Sequence, residues 1–173
     1  MDKKFWVKCL CSLIVVVIGF LSAFLIFYIS LQIDQTYQQT MEEAIASRSD
    51  LTVSRSLAIL SMIVEFATGV PFIIAVVVSD LILRKKHTVK SIMIVTMIES
   101  ALFMLVMIFG FNAFAYSNQM YSLIPAREMA YDIMIMFVRF STCVPAGIIL
   151  LISFIILLVS LGKEKRTQVK QAA

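Results

Sequence analysis

The chain has 173 residues, 61% of them hydrophobic, and a net charge of +4. A soluble domain averages about 45–50% apolar residues; here the excess is gathered into four long runs, which excludes an ordinary soluble fold and predicts one all-α domain, an integral membrane four-helix bundle, over 1–173. All nine lysines lie in 1–8, 84–90 or 163–173, so the positive charge sets topology at the ends of the runs and is not a footprint for nucleic acid.

The first run, 9–31, is much longer than the about 7–15 apolar residues of a cleaved leader, and no small-x-small site follows it. It is expected to remain as a span. Trp6, beside Lys3, Lys4 and Lys8, reads as an interfacial anchor at its inner end. Gly19 and Ala23 form a small-x-x-x-small pair that permits close helix packing, and Ser12 and Ser30 continue the same stripe. The following segment, Gln32–Arg55, contains no Pro and no Gly, and Glu42, Glu43, Ala44 and Ala46 favour helix. The first and second spans are therefore expected to extend outward as helices joined near Ser47–Thr52.

The second run, 56–83, carries Glu65 nine residues from its outer end, about 14 Å at the helical rise. Pro71 follows, and Asp80 sits one turn before Arg84 near the inner boundary. A short basic turn, Arg84–Lys90, holds His87, the one histidine of the chain. The third run, 91–113, places Glu99 eight residues in, about 12 Å from the inner side. In Phe114–Asp132, Tyr116, Tyr121 and Tyr131 read as an outer aromatic belt beside Pro125. The fourth run, 133–161, carries Arg139 six residues in, about 9 Å, then Pro145, and ends in a basic tail.

The loops Gln32–Arg55 and Phe114–Asp132 hold no lysine, three arginines and six of the eleven acids. By the positive-inside rule both termini lie inside. Neither loop has a cysteine or an Asn-x-Ser/Thr acceptor, which favours a bacterial cytoplasmic membrane as the plasma membrane in question. Cys9 and Cys11 fall at the inner mouth of the first span and Cys143 within the fourth, so no disulfide framework is expected.

Two segments echo each other. Val64-Glu65-Phe66-Ala67-Thr68-Gly69-Val70-Pro71 matches Val138-Arg139-Phe140-Ser141-Thr142-Cys143-Val144-Pro145 at five of eight positions, and Ile74/Ile148 and Ser79/Ser153 keep the register. This predicts two repeated helical hairpins of the same orientation. The repeat places Glu65 and Arg139 at similar depth, and a charge at the centre of a span costs about 2.5–3.5 kcal/mol on insertion scales. An intramembrane charge pair between Glu65 and Arg139 is therefore expected. Pro71 and Pro145 remove helical donors to the carbonyls of Ala67 and Ser141, so both are predicted kinks. Glu99 has no basic residue at its depth, which makes it the candidate proton or cation site.

No haem-ligand pair, Cys-x-x-Cys, nucleotide loop or metalloprotease helix occurs in the sequence, so neither enzyme activity nor a metal or other cofactor is expected. Absent loop disulfides exclude claudin-like and tetraspanin-like organisation, and five glycines are too few for a rotor-ring proteolipid. Two function classes remain. The leading one is an accessory, assembly or interaction subunit, whose partner besides the lipid bilayer is another membrane protein or its own copies. The other is a small transporter or channel for ions or protons, using Glu65, Glu99 and Arg139.

Overall fold

The computed structural model describes residues 3–47, 52–85, 87–117 and 128–172. Its helices in chain order are α1 Lys3–Ser47, α2 Thr52–Phe66, a 3-10 turn Ala67–Gly69, α3 Val70–Arg84, α4 Val89–Leu105, a π turn Val106–Gly110, α5 Phe111–Ser117 and α6 Glu128–Ala172. They form an all-α four-helix bundle, and four of its rods are long and apolar enough to cross a membrane: Trp6–Ser47, Arg55–Arg84, Val89–Gly110 and Ile133–Lys163.

With 45 residues, α1 is the longest rod besides α6. At the helical rise it measures about 68 Å, more than twice a hydrocarbon core of about 30 Å. Its polar outer part has no Gly or Pro to break it, and its hydroxyls are satisfied by bonding back one turn. Thr36 donates to the Gln32 carbonyl at 3.0 Å, Thr40 to that of Thr36 at 2.7 Å and Ser47 to that of Glu43 at 2.7 Å. The outward helical extension expected after the first span is thus present through Ser47. The junction at 48–51 lies outside the described residues, as do Tyr121 and Pro125 of the predicted aromatic belt.

Burial follows lipid logic rather than water logic. Leu21, Leu25, Ile74, Phe109, Ile148 and Leu151 point outward, while Ser12, Ser30, Ser61, Thr68, Ser79, Thr96, Ser141 and Ser153 are buried. In hydrocarbon, apolar burial gives no drive for helices to associate, so small and hydroxylated side chains that let backbones approach make the contacts. Aromatic rings fill the centre. Phe72 and Phe103 stack at 3.9 Å with an interplanar angle of 4°, and Phe27 meets Phe111 edge-on at 5.3 Å. Gly19 of α1 lies against the stacked pair: a Cβ there would stand 2.9 Å from Phe103 and 3.0 Å from Phe72. The Gly19–Ala23 stripe is therefore spent within the chain.

The sequence echo has a structural counterpart. Thr68 and Thr142, and Ser79 and Ser153, are buried, while Phe66/Phe140, Val70/Val144 and Ile74/Ile148 all face outward. The two segments also pack on each other. Thr68 and Ser141 share a hydrogen bond between their hydroxyls, and the Ser141 hydroxyl donates to the Glu65 carbonyl at 3.1 Å. A Cβ added to Gly69 would overlap the Ser141 carbonyl oxygen.

Their backbones part ways at the prolines. Pro71 cannot donate to Ala67, and the chain tightens into the 3-10 turn, where the Val70 N–H takes the Ala67 carbonyl instead. Pro145 stands inside a continuous α6. The Ser141 carbonyl, which Pro145 leaves without its helical donor, faces the Cα of Gly69, a close approach that only glycine permits. At Pro145 the helix assignment runs on without a break, and the carbonyl orphaned by the proline meets a neighbour.

Candidate functional site

Two buried carboxyl groups lie beside one face of α1, one toward each end of the span. Ser12 and Ser30 are 18 residues apart, which is five whole turns, so they share a face and are separated by about 27 Å of rise.

The outer niche holds Glu65 of α2. Ser30 of α1 donates to Glu65 Oε1 at 3.1 Å and lies 3.1 Å from the hydroxyl of Ser61, one turn before Glu65 on α2. Asp34, one turn beyond Ser30, is close enough to add a second negative charge to the neighbourhood. Its own carboxylate accepts a hydrogen bond from Gln38 at 3.0 Å.

Arg139 is elsewhere. Its Nη2 donates to the Ile108 carbonyl in the π turn at 2.9 Å, while its Nε is buried without a partner. Among the described residues no ion pair joins Glu65 to Arg139, which corrects the charge pair expected from the repeat. The reason is helical phase. Ser141 is the residue of α6 that faces the Glu65 turn, and Arg139, two positions earlier, lies about 200° around the helix from it. The repeat fixes depth, but the charges leave their helices in different directions. The π turn carries its own signature, since the Phe111 N–H reaches back five residues to Val106. Such widened turns are frequent at functional sites, and nothing in the sequence pattern of Val106–Gly110 announced this one.

The inner niche holds Glu99 of α4, fully enclosed at 0% exposure. Ser79 of α3 donates to Glu99 Oε1 at 3.0 Å. Ser12 of α1 turns its hydroxyl to the same carboxyl, while among the described residues nothing lies within strict hydrogen-bond geometry of Oε2 or of the buried hydroxyl of the next residue, Ser100. Asp80, adjacent to Ser79, adds negative charge rather than a counter-charge. Thr96, one turn before Ser100, donates to Asp80 Oδ1 at 2.7 Å, and Arg84 lies one turn further along α3. Among the described residues the groups that act on Glu99 are Ser79, Asp80 and Ser12. The partners Ser79 and Ser12 come from other helices and were not assigned to Glu99 from sequence. The Ser79/Ser153 match of the repeat was the one signal pointing at Ser79.

Between the niches stands the Phe72–Phe103 stack wedged on Gly19. The two carboxyls thus lie on either side of an aromatic layer, each with its own hydroxyl partners. Among the described residues no three His, Cys, Asp or Glu side chains converge in a way that would hold a metal ion. Comparison with protein-family models, curated proteins and solved structures finds no match for this chain.

Proposed function

We propose that the chain is a small multi-pass carrier of the bacterial cytoplasmic membrane, with both termini inside, that takes up and releases protons or small cations at Glu99. The observation that supports this reading best is the fully enclosed Glu99 carboxyl, faced among the described residues by the hydroxyls of Ser79 and Ser12 and by the acid Asp80 and by no cation. An ionised carboxylate near the centre of a span costs about 2.5–3.5 kcal/mol on insertion scales. Glutamine would serve packing equally well without that cost, so the acid has a use in gaining and losing charge. Glu65, on the same face of α1, is the second exchanging group. The Phe72–Phe103 layer between them favours a carrier that alternates over an open pore.

Arg139 has a positioning role in this scheme. It ties α6 to the π turn of the third span and does not touch either carboxyl.

The test is flux in proteoliposomes holding the purified protein. The proposal expects a proton or sodium flux above that of empty vesicles, lost in Glu99→Gln with the helical content unchanged. Wild-type vesicles as tight as empty ones would overturn it.

A second reading, an accessory or interaction subunit, draws on a different observation. The inner half of α6 is the least buried stretch of any span, with Leu151, Ile152, Ile155, Leu158 and Val159 all outward. Under that reading a partner or a second copy docks there and not on the internal Gly19–Ala23 stripe. A cysteine at Ile155 would then give a discrete cross-linked product in native membranes, and Glu99→Gln would be silent.

A further inference from the structure

A groove of about 450 Å³ opens between α1 and α4 at the lysine-rich end of the bundle. Its size is that of a small-molecule site, and its walls are apolar along most of their length: Leu13 from α1, and Ile94, Ile98 and Leu102 from α4. Its polar lining is Lys8 and Ser91 at the end nearest the membrane surface and Ser12 one turn deeper on α1. From Ser91 to Leu102 the groove climbs eleven residues, about 16 Å, which is the depth of one leaflet of a hydrocarbon core of about 30 Å. No acid lines it. A second depression, toward the other end of the bundle, is lined among the described residues by Ile133, Met136, Phe137 and Phe140.

An apolar slot one leaflet deep, with a lysine and a serine at its surface end, is complementary to one kind of molecule. We propose that the groove binds an acyl chain of an anionic phospholipid from the lysine-rich leaflet, its phosphate held by Lys8 and Ser91. The site is independent of the carrier reading, but it borders the inner niche. Ser12 lines the groove and also stands beside Glu99. A bound lipid therefore holds α1 against α4 at the turn that closes the Glu99 chamber.

Trp6 is the only tryptophan of the chain and lies two residues before Lys8. Two positions are about 200° apart on a helix, so Trp6 faces away from Lys8; a single tryptophan placed in the groove as Leu13→Trp, in a Trp6→Phe background, reports occupancy through quenching by lipids with brominated chains. In bilayers, brominated phosphatidylglycerol should quench the Leu13→Trp fluorophore with about a five-fold preference over brominated phosphatidylcholine, the size that one lysine near an anionic surface supplies. In Lys8→Gln the preference should fall close to one. Native mass spectrometry should retain one phosphatidylglycerol on the wild-type protein and none on Ile98→Phe, which fills the chain-binding part. If Ile98→Phe loses its helical signal, Lys8→Gln decides alone. Equal quenching by the two lipids, or a preference that survives Lys8→Gln, overturns the proposal, as does retained phosphatidylglycerol on a folded Ile98→Phe protein.

Discussion

Replacing Gly69 with alanine is the most sensitive probe of the contact between the two echoing segments. The new Cβ would overlap the Ser141 carbonyl oxygen and stand 3.5 Å from Pro145 Cγ. The first obstacle is backbone, so no rotamer change can relieve it, and α6 must retreat from the 3-10 turn. Retreat breaks the Thr68–Ser141 hydrogen bond and the one from Ser141 to the Glu65 carbonyl. Interhelical hydrogen bonds in membranes average about 0.6 kcal/mol each, and overpacking a tight contact costs about 1–3 kcal/mol. The sum is a destabilisation of about 2–4 kcal/mol. Gly147→Ala is the internal control, since a Cβ there meets nothing within 4 Å and alanine favours a helix interior by about 0.5–1 kcal/mol. The assay is reversible unfolding in mixed micelles with rising dodecyl sulfate, followed by circular dichroism. Gly69→Ala within about 0.5 kcal/mol of the wild type would refute the packing of 67–69 on α6.

Three further outcomes follow from the same geometry. Because Glu65 and Arg139 have separate partners, their removal as Glu65→Gln and Arg139→Gln should be additive within about 0.5 kcal/mol in a double-mutant cycle, and exchanging the two charges should rescue nothing. Gly19→Leu should destabilise by about 1–3 kcal/mol by driving into the Phe72–Phe103 stack, measured by the same unfolding assay; a neutral result would place Gly19 on a free surface. Cysteines introduced at Ser47 and Ser122 should react with an impermeant thiol reagent in intact cells, and protection of either would contradict a topology with both termini inside.

The gross architecture was open to reading because lipid imposes a coarse rule. A span needs about 20 apolar residues, and the four runs were legible to within a few residues at most ends. The helical extension beyond Leu31 was legible too, from the absence of Gly and Pro. Contacts were harder. Thr68 and Thr142 share one facing and Ile74 and Ile148 another, since facing depends only on helical phase within one segment. The repeat misassigned Arg139, because partner choice depends on how whole helices are rotated against each other. Gly69 against Cys143 was the clue to the different proline turns: the copy with glycine tightens and admits its neighbour, and the copy with a side chain stays helical. The π turn at Val106–Gly110 left no mark in composition, since it is a matter of one extra residue in a ring of backbone bonds. Glu99 was found from depth alone, while its hydroxyl partners required three helices to be placed.

The account turns on whether Glu99 itself gains and loses charge, and infrared difference spectroscopy of the protein in bilayers reads that event at the carboxyl. Cycling the film between two pH values, or between sodium and a bulky organic cation, should produce a carboxyl band change that persists in Glu65→Gln and disappears in Glu99→Gln. A spectrum whose carboxyl bands are the same in the wild type and in Glu99→Gln would show that Glu99 only fills its chamber, and would contradict the proposed function.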